Sequence, residues 1–323
     1  MFRIGVDIGG TNIAAGIVDE SYKIVEKKSI KTKQVKTPSE MIDAIARLIK
    51  ELMETAEVKP EMVTAIGVGV PGTLDPESGR VLYANNLGFE DVPFLTELKK
   101  ALGEGLADKL YFDNDANAAA IGEYITGDYH AKNFVMITIG TGIGGGVIIN
   151  GKVLRGCNYA AAEFGHMTIN FDGIDCNCGR KGCFEDYASA EGLMNLAWDA
   201  INTTQGKKSQ LAGMVSSREE LDGEIFFEAV RNGDELALDV LDQYLIYLSE
   251  GIINIINIFQ PDVLTLSGGI TKAADLYLDK LKELVAKGIY SRNSSKNTQI
   301  MLSKGVSDSG DIGIIGAALI YKM

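Results

Sequence analysis

Positive charge is scarce in this chain. Its 31 lysines and arginines stand against 44 aspartates and glutamates, a net charge of −13 over 323 residues. A nucleic-acid binder draws its affinity from phosphate neutralisation by lysine and arginine, so this balance argues against that class. Long apolar runs are also missing. Nothing approaches the roughly 20 residues that a membrane helix needs, and the most apolar stretch, Ile252 to Phe259, is broken by Asn254 and Asn257 and reads as a buried helix. The basic-then-apolar layout of a signal peptide is absent, because Met1-Phe2-Arg3-Ile4-Gly5-Val6-Asp7 reads directly as a strand. The expectation is a cytoplasmic protein with no membrane and no nucleic-acid partner. No stretch matches the P-loop pattern G-x-x-x-x-G-K-S/T. Gly140-Thr141-Gly142-Ile143-Gly144-Gly145 mimics a dinucleotide fingerprint, but a strand (Val147-Ile148-Ile149) follows it instead of the required helix. Cysteine is limited to Cys157, Cys176, Cys178 and Cys183, three of them within eight residues. In a chain without a leader, that crowding favours a metal over disulfides.

What is present begins with an internal repeat. Val6-Asp7-Ile8-Gly9-Gly10-Thr11 aligns with Ile137-Thr138-Ile139-Gly140-Thr141-Gly142, and without a gap Gly16-Ile17-Val18-Asp19 falls over Val147-Ile148-Ile149-Asn150. Each copy reads as strand, glycine turn, strand, so each half of the chain opens with the same β-hairpin. Thr37-Pro38-Ser39-Glu40 is a strong helix start, followed by apolar residues at helical spacing from Met41 to Leu52. Ala65 to Val70 reads as a strand stopped by Pro71-Gly72. Tyr111-Phe112 leads into Asp113-Asn114-Asp115-Ala116-Asn117 and an alanine-rich helix. Glu235 to Phe259 is a long helix, Asp262 to Leu266 a strand, Asp275 to Lys287 a helix, and Asp311 to Tyr321 a short apolar helix, whereas the polar stretch 203–217 reads as a loop. The alternation makes the class α/β, and the length suggests two domains.

Three strand ends carry glycine: Gly9-Gly10-Thr11, Gly140 to Gly146, and Gly268-Gly269. With no Cβ in the way, backbone N–H groups approach an anion closely, and two such turns facing each other would clasp a triphosphate. Any one of them alone reads first as a tight hairpin. Asp7, at the end of the first strand, is placed to hold Mg²⁺ directly or through water. In the Asp113-Asn114-Asp115 run a carboxylate is either a helix N-cap or a base accepting the proton of an attacking hydroxyl, and the Asn114 amide suits polyol hydroxyls. His166 with Cys176, Cys178 and Cys183 supplies four ligands within 18 residues, a Cys₃His set suited to structural Zn²⁺. The alternative is a set of buried cysteines without a metal. A closed four-ligand site leaves no open position for catalysis, so the metal would hold a loop that presents Glu163, His166 and Glu185 to a ligand. Cys157 reads as a free thiol and His130 as an exposed bystander.

These motifs together resemble the ROK sugar kinases of the actin/hexokinase/Hsp70 superfamily, over essentially the full length. Asp7-Ile8-Gly9-Gly10-Thr11-Asn12 resembles the first phosphate motif, Gly140 to Gly146 the second, and Ser267-Gly268-Gly269 the adenosine motif. Asn114-Asp115 resembles the family's Asn and catalytic Asp. Glu163-x-Gly165-His166 and Cys176-x-Cys178-Gly179-x-x-Gly182-Cys183-x-Glu185 resemble its sugar-and-zinc segment. The resemblance implies a two-domain actin-like (ribonuclease H-like) fold of mixed sheets flanked by helices, with an inter-domain cleft: residues 1–113 plus 311–323, and residues 114–310 with the zinc segment. It implies ATP with Mg²⁺ (Asp7, Gly9, Gly10, Thr11, Asn12, Gly140, Thr141, Gly142, Gly268 and Gly269), structural Zn²⁺, and a homodimer or homotetramer. Asp115 would take the proton of a hexose 6-hydroxyl, with Gly72, Asn86, Asn114, Glu163, His166 and Glu185 around the sugar. Asn85-Asn86-Leu87-Gly88-Phe89 resembles the loop of bacterial ROK glucokinases, which puts glucose first, ahead of N-acetylmannosamine, fructose or allose. A binding-only sugar sensor is the other class. The family's repressors carry an added N-terminal DNA-binding module, and here Asp7 already lies in the first strand. Ala162 departs from the usual glycine before the glutamate and would narrow the pocket slightly.

Overall fold

The computed structural model describes residues 1–84, 87–304 and 309–323, with the backbone alone for 309 and 310. Alternating apolar residues make β1 (Phe2–Ile8) and β2 (Asn12–Val18) an antiparallel hairpin in which Ile8 faces Ile13. Its turn is closed by the Gly9 N–H donating to the Asn12 carbonyl at 2.9 Å. β3 (Ile24–Lys31) adds an antiparallel edge in which exposed and half-buried residues alternate, with Lys27 and Lys31 on the exposed face. α1 (Pro38–Thr55) starts where the cap pattern put it: Thr37 Oγ1 accepts from the Glu40 N–H at 3.2 Å, while the Glu40 carboxylate accepts from the Lys36 N–H at 2.8 Å. β4 (Val63–Val70) is buried along nearly its whole length and pairs parallel with β1. A small antiparallel sheet follows, made of β5 (Thr73–Asp75), β6 (Arg80–Ala84) and β7 (Phe89–Val92), then α2 (Phe94–Leu102). β8 (Leu110–Asn114) pairs parallel with β4 and runs straight into α3 (Asp115–Thr126). The first sheet has the order β3-β2-β1-β4-β8.

A second sheet is built from β9 (Phe134–Ile139), β10 (Ile143–Ile149), β11 (Lys152–Val153), β12 (Val263–Ser267) and β13 (Gln299–Leu302), in the order β11-β10-β9-β12-β13. The two orders correspond strand for strand, so the repeat visible over two hairpins extends to whole sheets. The remaining helices are α4 (Phe184–Ala188), α5 (Ala190–Ile201), α6 (Gln210–Met214), α7 (Gly223–Arg231), α8 (Glu235–Phe259), α9 (Leu278–Gly288) and α10 (Ser309–Leu319). The mixed α/β class read from the sequence holds. Among the described residues, no helix is long and apolar enough to cross a membrane.

Two expectations about elements are corrected. The stretch 203–217 is not all loop: Ser209 caps α6 by accepting from the Ala212 N–H, the Asp234 carboxylate accepts from the Gln210 N–H, and Leu211 is fully buried. The helix expected from Asp275 begins at Leu278, because a 3₁₀ segment, Gly269–Leu276, precedes it.

The chain forms two compact units: Met1–Val135 with Gly146–Ala162 and Ser303–Met323, and Met136–Gly145 with Glu163–Leu302. Residues 114–135 and 146–162, grouped with the second domain in the expectation, fall in the first unit, and α3 within the first of these stretches shows why. The reason there is α10, which lies against β1, β4 and α3 with glycine at the crossings. A Cβ on Gly5 would come within 1.8 Å of the Ile314 carbonyl oxygen, one on Gly67 within 1.7 Å of that of Ala317, and one on Gly316 within 1.7 Å of that of Ala118. Backbones this close leave no room for side chains between them. Val18, Ala118, Ile121, Ile314, Ile315, Ala317, Ala318 and Leu319 close over the contact as one buried cluster.

Candidate active site

The first unit gathers carboxylates at its strand ends. Asp7 sits at the end of β1 with α10 against it: a Cβ on Gly313 would lie 2.4 Å from Asp7 Oδ2. Burial, and then the charge of Asp115, push the Asp7 carboxyl from its ordinary 3.8 up to about 7. A carboxyl whose ionisation is opposed by burial and by a neighbouring carboxylate suits a bound cation. The glycine turn beside them is held from behind by Thr32, whose N–H donates to the Thr11 carbonyl at 3.0 Å and whose Oγ1 donates to the Gly9 carbonyl at 2.7 Å. Thr32 lies well away from the motif in sequence, and no local signal marked it. Thr11 and Asn12 are exposed, and a Cβ on Gly10 would meet nothing within 4 Å. Neither crowding nor a positive φ requires glycine at that position, which is what a surface kept clear for a ligand looks like.

At the junction of β8 and α3 the three polar residues divide their work. Asn114 is the N-cap: its Oδ1 accepts from the N–H of Ala116 at 2.9 Å and of Asn117 at 3.2 Å, and its Nδ2 donates to the Gly72 carbonyl at 3.3 Å. Gly72 has φ +99°, and a Cβ there would come within 2.2 Å of the Tyr83 carbonyl oxygen. Asp113 is buried. Its Oδ1 accepts from the Asn114 N–H (2.8 Å) and Asn117 Nδ2 (3.1 Å), and its Oδ2 from Arg155 Nε and Nη2, both at 2.8 Å. Asp115 is the first helical residue and only half-buried, and its Oδ1 accepts from the Ala116 N–H at 2.9 Å. The cap is therefore neither aspartate: Asp113 is a hub within the fold, while the Asp115 carboxylate stands beside Asp7. Asn86 lies outside the described residues.

The second unit brings together the other set. The turn Gly140–Gly142 is closed by the Gly140 N–H donating to the Gly142 carbonyl at 2.9 Å, and the Ala190 N–H at the start of α5 donates to the Gly140 carbonyl at 2.8 Å. Glu185, on α4, reaches this turn: its Oε2 accepts from the Ile143 N–H at 2.7 Å, and a Cβ on Gly142 would lie 2.3 Å from that oxygen. One oxygen of Glu185 is thus committed to holding the glycine turn, a contact across 42 residues that the motif spacing did not reveal. Thr141 is exposed, and a Cβ on Gly140 or Gly269 would meet nothing within 4 Å. Gly268, by contrast, has φ +100° and lies against the end of β9. Glu163 has its carboxyl raised by burial; the neighbouring His166 opposes that shift and Glu185 adds to it, so these three residues share one neighbourhood. Ala162, just before Glu163, adopts φ +68°. The left-handed backbone explains why glycine suits this position.

His166, Cys176, Cys178 and Cys183 converge, with their ligand atoms all within 4.8 Å of one another; His166 Nδ1 lies 3.8 Å from Cys176 Sγ, and Cys178 Sγ lies 3.6 Å from Cys183 Sγ. Ligands about 2.0–2.3 Å from one tetrahedral ion stand at about these separations, so the set fits Zn²⁺. Cys157 and His130 take no part, Cys157 as an exposed free thiol and His130 as an exposed neighbour of Asp128.

The ROK family model matches residues 3–323. The chain is 36% identical over 282 residues to a glucokinase of Halalkalibacterium halodurans, covering 87% of this chain and 84% of that protein. It is 33% identical over 322 residues to a glucokinase of Thermotoga maritima, covering 99% and 96%. Its structure is similar to that of a ROK family glucokinase from Streptomyces griseus in complex with glucose and AMPPNP, with a TM-score of 0.80 at 32% identity over 98% of each chain. A match that begins within the first strand and runs through α10 takes in both glycine hairpins, the Asn-Asp junction and the Cys₃His segment, and on that ground the chain belongs to the ROK family.

Proposed function

We propose that this protein is an ATP-dependent hexose kinase acting at the sugar's 6-hydroxyl, with glucose as the preferred substrate. The observation that carries the reading is the pairing of Asp115 with a half-buried Asp7 beside a glycine turn kept open. Family membership and the likeness to glucokinases support it. In the proposed reaction the 6-hydroxyl gives its proton to the Asp115 carboxylate while its oxygen bonds to the γ-phosphorus. The bond from that phosphorus to the β–γ bridging oxygen breaks, and ADP leaves. A base so placed contributes roughly 10²–10⁴-fold, and the rest is positioning and charge neutralisation. Asp7 would hold Mg²⁺, which when bound offsets the charge of the phosphates. Backbone donors of Gly9, Gly10, Thr11, Asn12, Gly140, Thr141 and Gly142 bind phosphate, and Gly268 and Gly269 the adenosine. Asn114, Glu163, His166 and Glu185, with Gly72 and Asn86, bind sugar hydroxyls. Zn²⁺ on His166, Cys176, Cys178 and Cys183 is structural. A cytoplasmic location and a homodimer or homotetramer belong to the same proposal.

The test is ADP release with a panel of hexoses. Wild type turns over glucose in preference to N-acetylmannosamine, fructose and allose. Asp115→Asn loses about 10²–10⁴-fold in kcat with its fold intact. Near-normal turnover in that variant removes Asp115 as the base, and hexose binding without ADP release makes the protein a sensor instead.

A further inference from the structure

One arginine outside every motif is tied to the strand end that carries the base. Arg155 follows β11, and its backbone is fixed: its carbonyl accepts from the Ala161 N–H at 3.1 Å, and Gly156, with φ +78°, turns the chain at once. From that root the guanidinium places Nε and Nη2 each 2.8 Å from Asp113 Oδ2, while Nη1 lies 3.4 Å from the Met323 carbonyl. Asp113 is 2% exposed, and its other oxygen holds the Asn114 N–H and Asn117 Nδ2. Those two partners bracket Asp115 in the chain.

We propose that Arg155 is a positioning residue: by pairing with Asp113 it locks the first turn of α3, and so sets where the Asp115 carboxylate points. The physical reason is that a buried carboxylate without a cation neutralises itself or draws in water. Its acceptor strength toward Asn114 and Asn117 depends on its charge, because hydrogen bonds to an ionised acceptor are roughly twice as strong as neutral ones. Removing Arg155 therefore loosens both of the ties that flank Asp115. Lysine would keep the charge but lose the two-pronged contact. The proposal rests on the reading of Asp115 as the base.

The experiment compares Arg155→Ala, Arg155→Lys, Asp113→Asn and the Arg155→Ala/Asp113→Asn double variant with wild type, each first shown to be folded by circular dichroism. Expected for Arg155→Ala is a fall in kcat of about ten- to a hundredfold, the scale of a misplaced reacting group. KM for ATP should stay near wild type, KM for glucose should rise by less than kcat falls because Asn114 also loosens, and dilute guanidinium should restore part of kcat. Arg155→Lys should fall between. The double variant should lose no more than the worse single, since both act through one link. A kcat for folded Arg155→Ala within about twofold of wild type, or losses that simply add, would overturn the proposal. Amide exchange provides a readout independent of catalysis. It should quicken at 114–118 in Arg155→Ala and stay unchanged in β1, and equal protection at 114–118 overturns the proposal even if wild type phosphorylates no hexose, an outcome that would instead sink the base reading.

Discussion

At the scale of single residues, Asp7 sets function against stability. Its carboxyl ionises near 3.8 in an ordinary setting and near 7 in the fold. Between those values the folded state holds more proton than the unfolded chain, so stability falls as pH rises through this window, and above about 7 the whole penalty is present. Asp7→Asn should therefore raise the thermal midpoint at about pH 8 and gain little near pH 4. Kinase activity should be lost at both. Scanning calorimetry at the two pH values checks the sign, and an Asp7→Asn protein that melts lower than wild type at the higher pH contradicts the burial argument. Ala162 is a second local cost. A left-handed backbone costs an L-residue roughly 1–2 kcal/mol, part of which glycine returns through its freer unfolded chain. Ala162→Gly should stabilise the protein by up to about 1 kcal/mol in denaturant titration.

At the scale of elements, the segment from His166 to Cys183 is held by turn hydrogen bonds and two isolated bridges, Thr168 with Cys183 and Asp175 with Lys181, rather than by an apolar core, and it leaves Phe171 90% exposed. A coordinate tie among the four converging side chains would add to those hydrogen bonds where apolar burial is scarce. Elemental analysis should find one zinc per chain. Cys183→Ser should bind none and become open to proteolysis between residues 167 and 182. Full zinc retention in that variant would mean the four side chains are not the ligand set. Because α4 starts immediately after Cys183 and carries Glu185 to the Ile143 N–H, loss of the metal should reach the second glycine turn as well.

At the scale of the molecule, both hairpins, the long helix and the apolar C-terminal helix were legible, because each rests on local periodicity and turn chemistry. The Cys₃His cluster was legible because its ligands lie close in sequence. The division of labour among Asp113, Asn114 and Asp115 was not. All three can cap a helix, and which one does depends on where β8 stops pairing with β4. Arg155 with Asp113, Glu185 with Ile143 and Thr32 with the Gly9 turn were hidden for a common reason: each joins residues that only the tertiary fold brings together. The assignment of 114–135 to the first unit follows from glycines on α10 and its neighbours whose meaning is unreadable until the helices meet. Removing residues 309–323 strips that helix from β1 and β4 and exposes Gly5 and Gly67. The truncated chain should lose cooperative unfolding of the first unit and aggregate, as seen by calorimetry and size-exclusion chromatography. A soluble truncated protein with unchanged melting would show that α10 is dispensable.

The same closing helix gives synthesis a waiting time. A sheet begun by residue 2 stays uncapped until α10 has left the ribosome, some tens of seconds later at about 5–20 residues per second. During that interval the apolar face that α10 covers in the finished fold has no cover of its own, so release of the last fifteen residues should be the step that completes the first unit.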